Sequence, residues 1–161
     1  MVSGRGGGIA LIYRKSIIVK TLSVTNVKSF ENMDFAVSHR KQTVRVVCQY
    51  HSPPPKKNRL TDATFHEEVG KLVCSVTRSN KNLMILEDFN VHLDSPQDRD
   101  SKLLIQLLDS LDLCQHVSQP THRQGHVFDW VISRSRSVHS NIVQSITVEG
   151  LQISDHFFVT V

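Results

Sequence analysis

NLMILEDFN, residues 82–90, is the stretch from which the fold is read. Asn82 to Leu86 forms a short apolar strand that runs directly into Glu87-Asp88-Phe89-Asn90. Upstream, Phe65, Val69, Leu72, Val73 and Val76 share one face at helical period. Thr64 and Glu67 precede them at capping-box spacing, so a helix is predicted to open there and to close at Ser79-Asn80. Downstream, Ser101 opens a second predicted helix, with Leu103, Leu104, Leu107, Leu108 and Leu111 on its apolar stripe.

The pattern extends outward. Thr43 to Tyr50 (TVRVVCQY) is rich in β-branched residues and largely alternates. It halts at His51-Ser52-Pro53-Pro54-Pro55, which cannot continue a central ladder. Ile9 to Tyr13, entered through Gly6-Gly7-Gly8, reads as a buried strand. The glycines are no P-loop, because Gly-Lys-Ser/Thr does not follow. Val127 to Ser133, Asn141 to Val148 and Phe157 to Val161 complete the predicted strands. Strands alternating with helices indicate α/β packing around a mixed sheet, in one domain over residues 1–161.

Composition sets the bounds. A 161-residue chain that is 39% hydrophobic and 21% charged is globular rather than disordered. No apolar run approaches the roughly 18 residues of a membrane span, and no signal-peptide stretch opens the chain, so an intracellular protein is expected. With 19 Lys+Arg against 15 Asp+Glu the balance mildly favours polyanions. Cys48, Cys74 and Cys114 form no CxxC pair and read as reduced, mostly buried thiols. His116, His122, His126 and His139 show no metal-ligand spacing and are assigned to surface and loops.

The chemistry is expected where strands end. Asp88 and Asn90 follow an apolar strand, Asp129 sits inside VFDWVI, and Asp155-His156 precede the final strand. A carboxylate between Phe128 and Trp130 needs a partner, and an imidazole is a natural one. In this reading Asp129 orients His156 and Asp155 contributes to a hard-metal site. Asp88 positions or deprotonates a water, and Asn90 donates to a phosphate oxygen. That set suits magnesium-assisted phosphodiester hydrolysis. The alternative stays open: Asp-x-Asn after a strand is common in turns, and Ser-Asp-His serves equally as a cap.

Several segments resemble the endonuclease/exonuclease/phosphatase superfamily, which includes apurinic endonucleases and deoxyribonuclease I. Its Gly-Asp-Phe-Asn motif is similar to Glu87-Asp88-Phe89-Asn90, its Ser-Asp-His motif to Ser154-Asp155-His156, and its Leu-Asp strand motif to Phe128-Asp129. Its strand ending in Tyr before a proline loop resembles Val47 to Pro54. More narrowly, GGGIALIYRKSI, SFENMDF, QYHSPP, EDFNVHLDSP, LLDSLDLCQHVSQPTHRQGHVFDWVIS and ISDHFFVTV resemble, in this order, the endonuclease domains of LINE-type (non-LTR) retrotransposons.

The resemblance implies a four-layer α/β sandwich and a Mg2+- or Mn2+-dependent enzyme that nicks DNA, leaving a 3′ hydroxyl to prime reverse transcription. A reverse transcriptase domain in the parent element and a nuclear site of action are implied with it. Tyr50 would hydrogen-bond the scissile phosphate, Asp88 position the water, and Asn90 support both. Asp155 would hold the metal, and His156, paired with Asp129, would contact the phosphate or act as base. Lys56, Lys57, Arg59, Arg123, Arg134 and Arg136 are candidates for a DNA-facing surface.

Three departures stand out. The family's upstream Asn and its principal metal ligand, a Glu, have no counterpart, so the chain reads as N-terminally truncated, marginally stable and poorly active. Glu87 replaces a Gly at a point where φ matters, and Phe128 replaces a Leu. A catalytically inactive remnant or DNA-binding module is therefore the competing expectation, and a phosphatase or nuclease acting on another substrate is a third.

Overall fold

The computed structural model describes residues 8–22, 25–51, 60–79, 82–92, 94–95, 97–135, 142–151 and 153–161. Its elements are β1 (Ile18–Thr21), β2 (Glu31–His39), β3 (Gln42–Tyr50), α1 (Leu60–Ser79), β4 (Leu83–Asp88), α2 (Arg99–Ser110), β5 (Leu113–Gln115), β6 (Asp129–Arg134), β7 (Thr147–Glu149) and β8 (Phe158–Thr160). Six strands form one mixed sheet in the order β1-β2-β3-β4-β6-β5, and β7 and β8 form a separate pair. The β3–β4 pair is parallel, with α1 as its crossover, while the other pairs are antiparallel.

Alternation along the strands divides the core into two faces. Val47, Leu83, Ile85, Trp130 and Ile132 pack with Phe65, Val69, Leu72, Val73 and Val76 of α1 and with Leu104 and Leu108 of α2. On the opposite face Met84, Leu86 and Val131 pack against Val117, Val143, Val148 and Val159, which brings in β7 and β8. Helices, six-stranded sheet and two-stranded sheet are thus stacked as layers, the expected α/β sandwich. A second helical layer is not among the described residues.

The predicted capping box is not used. The α1 helix begins at Leu60, ahead of Thr64, and the Glu67 carboxylate accepts a hydrogen bond from Lys71 Nζ at 2.5 Å rather than reaching back to a cap. The helix α2 starts two residues before Ser101, because Asp98 caps it by accepting the Ser101 N–H at 2.8 Å. Leu103 is exposed, while Leu104 and Leu108 are buried.

Ile9 to Tyr13 is not a strand: it is irregular, and Ile12 is 95% exposed. Among the described residues no strand presents it with a hydrogen-bonding edge. Asn141 to Val148 contracts to β7, since only Thr147–Glu149 finds a partner, in β8. The three cysteines form no disulfide and are only half-buried. Burial still pushes the Cys48 thiol up to about 11, so it stays protonated.

The strands β1, β2 and β5 were not predicted. The second of them is obscured by Asp34 on its core face, where Asp34 is 2% exposed. That charge is balanced across the hairpin by the Arg45 guanidinium, whose Nε donates to Asp34 Oδ1 at 3.0 Å. Glu68 ties the loop before β2 to α1 by accepting the N–H groups of Lys28 and Ser29.

Glu87 is the least expected core residue. Its backbone is ordinary strand, and the positive φ of this region belongs to Asn90, at 53°. The cross-strand register sets Gln49, Glu87 and Trp130 in one row on the helix-facing side of the sheet. Among the described residues no group hydrogen-bonds either Glu87 carboxylate oxygen, the Gln49 amide or the Trp130 indole N–H. Desolvation holds the Glu87 carboxyl well above the ordinary value of 4.5, so it folds protonated.

An acid with a raised folded pKa favours the fold below its unfolded pKa and loses that advantage as pH climbs. Urea denaturation should therefore show stability falling from pH 4.5 towards pH 8. Glu87→Gln should flatten that slope and gain about 1–3 kcal/mol at pH 8. A wild-type slope that survives the substitution would contradict the assignment.

Candidate active site

The same register builds the site on the opposite face. Tyr50 ends β3, Asp88 ends β4 and Asp129 begins β6, and the pairings Tyr50↔Asp88 and Asp88↔Asp129 set the three in one row. They line a cleft of about 610 Å³ together with Ser154, His156, Phe157 and Val159. Gly8, Ile9 and Ala10 border it as well, so part of the misread N-terminal strand covers the site instead of joining the sheet.

Two backbone devices hold the parts. Thr121 Oγ1 accepts the N–H groups of Phe128 (3.0 Å) and Asp129 (3.1 Å), fixing the entry to β6. A turn closes through Gly125 at φ 87°, its N–H donating to the His122 carbonyl. Beyond the turn, Arg123 N–H donates to the Asp155 carbonyl and Phe157 N–H to the Thr121 carbonyl, which docks residues 155–157 beside the cleft.

The His156 Nδ1 lies 2.9 Å and 3.2 Å from the two Asp129 oxygens, the pairing expected from sequence. Its Nε2 faces Asp88 Oδ2 at 4.0 Å. Burial acts to lower the imidazole pKa, but the hydrogen bond that Nδ1 donates to Asp129 and the charges of Asp129, Asp88 and Asp155 outweigh it and raise it. Burial first, and then the Asp129 charge, push Asp88 up to about 6 against the pull of His156, the Asn90 N–H and His122. Facing carboxylates on adjacent strands repel each other, so the row attracts a cation.

Asn90 turns the chain in the left-handed region, which Asn tolerates. Its N–H donates to Asp88 Oδ1 at 3.2 Å, and its side-chain amide donates to the His51 carbonyl at 2.8 Å. One amide hydrogen expected to reach phosphate is therefore committed to holding the β3 and β4 ends together. Asp155 is not in the row. It is half exposed, with Oδ2 3.5 Å from His122 Nε2, and its own backbone and His122 hold its carboxyl below the usual range.

The tools of the site group as Asp88, Asp129 and His156, and as His122, Asp155 and His156; within each group the ligand atoms lie within 4.8 Å. His156 joins the two. Clustered carboxylate oxygens with imidazole beside them fit a divalent cation. His122 is the residue that sequence reading missed: it is 8% exposed, not a surface position, and bridges to His156 backbone to backbone. The other histidines are also more than loop decoration, since His116 is bonded to Ser133 Oγ at 2.8 Å. His139 lies outside the described residues.

Of the expected DNA-facing cations, Lys56, Lys57, Arg59 and Arg136 lie outside the described residues. Arg123 is exposed on the turn beside Asp155. Arg134 does not belong with it: it ends β6 away from Asp129, half-buried, and its guanidinium donates to the Thr77 carbonyl of α1.

The structure is similar to the endonuclease domain of TRAS1, a telomere-specific non-LTR retrotransposon, with TM-score 0.61 at 13% identity over 91% of this chain and 79% of that one. The chain has the deoxyribonuclease I-like fold. The human Nocturnin catalytic domain matches with TM-score 0.54 at 13% identity, over 88% of this chain and 60% of that one. A humanized D. rerio TDP2 matches with 0.55 at 12% identity, over 88% and 65%. At these identities the likeness carries the fold and nothing finer. No protein-family model matches the chain, and no curated protein matches it.

If Asp129 sustains the raised His156 pKa, Asp129→Asn must lower it. A titration of the His156 ring protons by NMR should show the midpoint move down in the variant. An unchanged midpoint would mean that the hydrogen bond is not formed in solution.

Proposed function

We propose that this chain is a metal-dependent phosphodiesterase of the retrotransposon endonuclease type, nicking DNA to leave a 3′ hydroxyl. The observation that carries the reading is His156, held by Asp129 with its Nε2 facing Asp88, in a cleft at the strand ends. The likeness to the TRAS1 endonuclease domain supports DNA as the substrate. Its place of action on this reading is intracellular and nuclear, with a reverse transcriptase domain in the parent element.

The carboxylates available to Mg2+ or Mn2+ are Asp88, in the cleft, and Asp155, whose neighbours Ser154 and His156 line it. Asp129 is less available, because both its oxygens face His156. A bound cation would supply Lewis-acid polarisation of the phosphate. The remaining work belongs to side chains. Asp88, with a pKa of about 6, is ionised at neutral pH and takes the proton of the attacking water. His156, held by Asp129 through Nδ1, would direct its Nε2 to a phosphate oxygen. Tyr50, beside Asp88 in the row, donates its hydroxyl to the same group.

A second reading is a module that keeps the fold and DNA affinity without cleavage. The commitment of the Asn90 amide to the His51 carbonyl favours it, because that donor is turned from the cleft.

Supercoiled plasmid with Mg2+ separates the two. The phosphodiesterase should convert it to open circles that a polymerase extends and should stop in EDTA. Asp88→Asn and His156→Ala should each cost about 100-fold or more. Nicking that persists in both variants would refute the assignment. Salt-sensitive DNA binding by the folded chain without nicking would establish the second reading.

A further inference from the structure

His92, Asp94 and His126 take no part in the site above, yet they converge. His92 and Asp94 follow Asn90 out of β4, and His126 follows the turn that ends at Gly125. The Asp94 carboxylate is held at both oxygens: Oδ1 accepts the Val127 N–H at 3.2 Å, and Oδ2 lies 3.0 Å from His126 Nδ1. The His92 and His126 rings stand perpendicular with centroids 4.4 Å apart. Both rest on Phe128, at 4.8 Å and 5.5 Å, so packing fixes their planes. The ligand atoms of the three residues all lie within 4.8 Å of one another.

We propose that His92, Asp94 and His126 form a binding site for Zn2+ or a similar borderline cation. Two imidazoles and one carboxylate are the donors such ions prefer, whereas a hard ion such as Mg2+ prefers oxygen. Asp94 is exposed and both imidazoles are half-buried, so an ion can enter from solvent. The apolar backing of Phe128 and Val127 shields it from behind. Three protein ligands leave a fourth position for water. The Val127 N–H keeps Asp94 Oδ2 aimed at His126, the kind of indirect support that metal ligands require. The opposite side of the Phe128 environment touches His122 and His156 at 5.3 Å and 6.3 Å, so the ion would sit one aromatic ring from the candidate active site without sharing a ligand with it. It would tie the segment after β4 to the entry of β6, the two segments that carry Asp88 and Asp129.

The test is titration of the full chain, stripped of metal, with Co2+, read by its visible absorption and by displacement with Zn2+. At least one equivalent should bind in a tetrahedral environment, with Zn2+ displacing it, over and above any ion taken up at the candidate active site. His92→Ala, His126→Ala and the exposed, milder Asp94→Asn should each weaken binding by more than about tenfold, the least that losing even an indirect metal contact costs. Their far-ultraviolet circular dichroism should match the wild type, and Asp94→Asn alone suffices should an alanine variant misfold. His156→Ala should leave in place the tetrahedral absorption that the His92, Asp94 and His126 variants remove. Failure to bind Co2+, or binding lost with His156→Ala but kept with His126→Ala and Asp94→Asn, would overturn the proposal.

Discussion

Everything at the candidate site depends on the register of β3, β4 and β6. Because side chains alternate along a strand, one alignment decides two rows at once. On one face it sets Tyr50, Asp88 and Asp129 in line at the strand ends. On the other it sets Gln49, Glu87 and Trp130 beneath the helices. A slip of one residue would exchange the rows, burying Asp88 under α1 and opening Glu87 to the cleft. The apolar alternation of Leu83 and Ile85 against Met84 and Leu86 holds the register, since those residues fill two different cores.

The cost of that arrangement falls on charge. Two carboxylates face each other across β4 and β6, and His156 with a raised pKa partly offsets them. The bridge from His156 to His122 and on to Asp155 spreads the same balance over a second group. Phe128 is the common surface: rings of His92, His122, His126 and His156 all lie against it.

Much of this was legible from residues alone. Asp88, Asp129 and His156 were marked as polar groups at strand ends, and a carboxylate inside VFDWVI demanded a partner that proved to be His156. The α/β alternation was legible because α1, β3, β4 and β6 carry clean periodicities. What failed did so for physical reasons. Hydrophobicity in Ile9 to Tyr13 reports a need for burial, not the presence of a neighbouring edge. The second strand was hidden because Asp34 occupies a core position, a choice made tolerable only by Arg45 from the next strand. The histidines looked scattered because His126 meets His92 from the segment after β4 and His122 meets His156 from the entry to β8, and spacing rules see only one segment at a time. Asp155 pointed to the right region, but its carboxylate turns to His122.

The central claim is that Asp88 and Asp155, grouped with a His156 that Asp129 holds, draw a divalent cation to the strand ends. The most direct measurement is a Mg2+ titration of the isotopically labelled chain, followed by backbone and imidazole chemical shifts. The account predicts that the largest changes fall on residues 88–90, 129 and 155–156, with His92 and His126 unmoved. Changes confined to other surface carboxylates, or none at all in a folded chain, would contradict it.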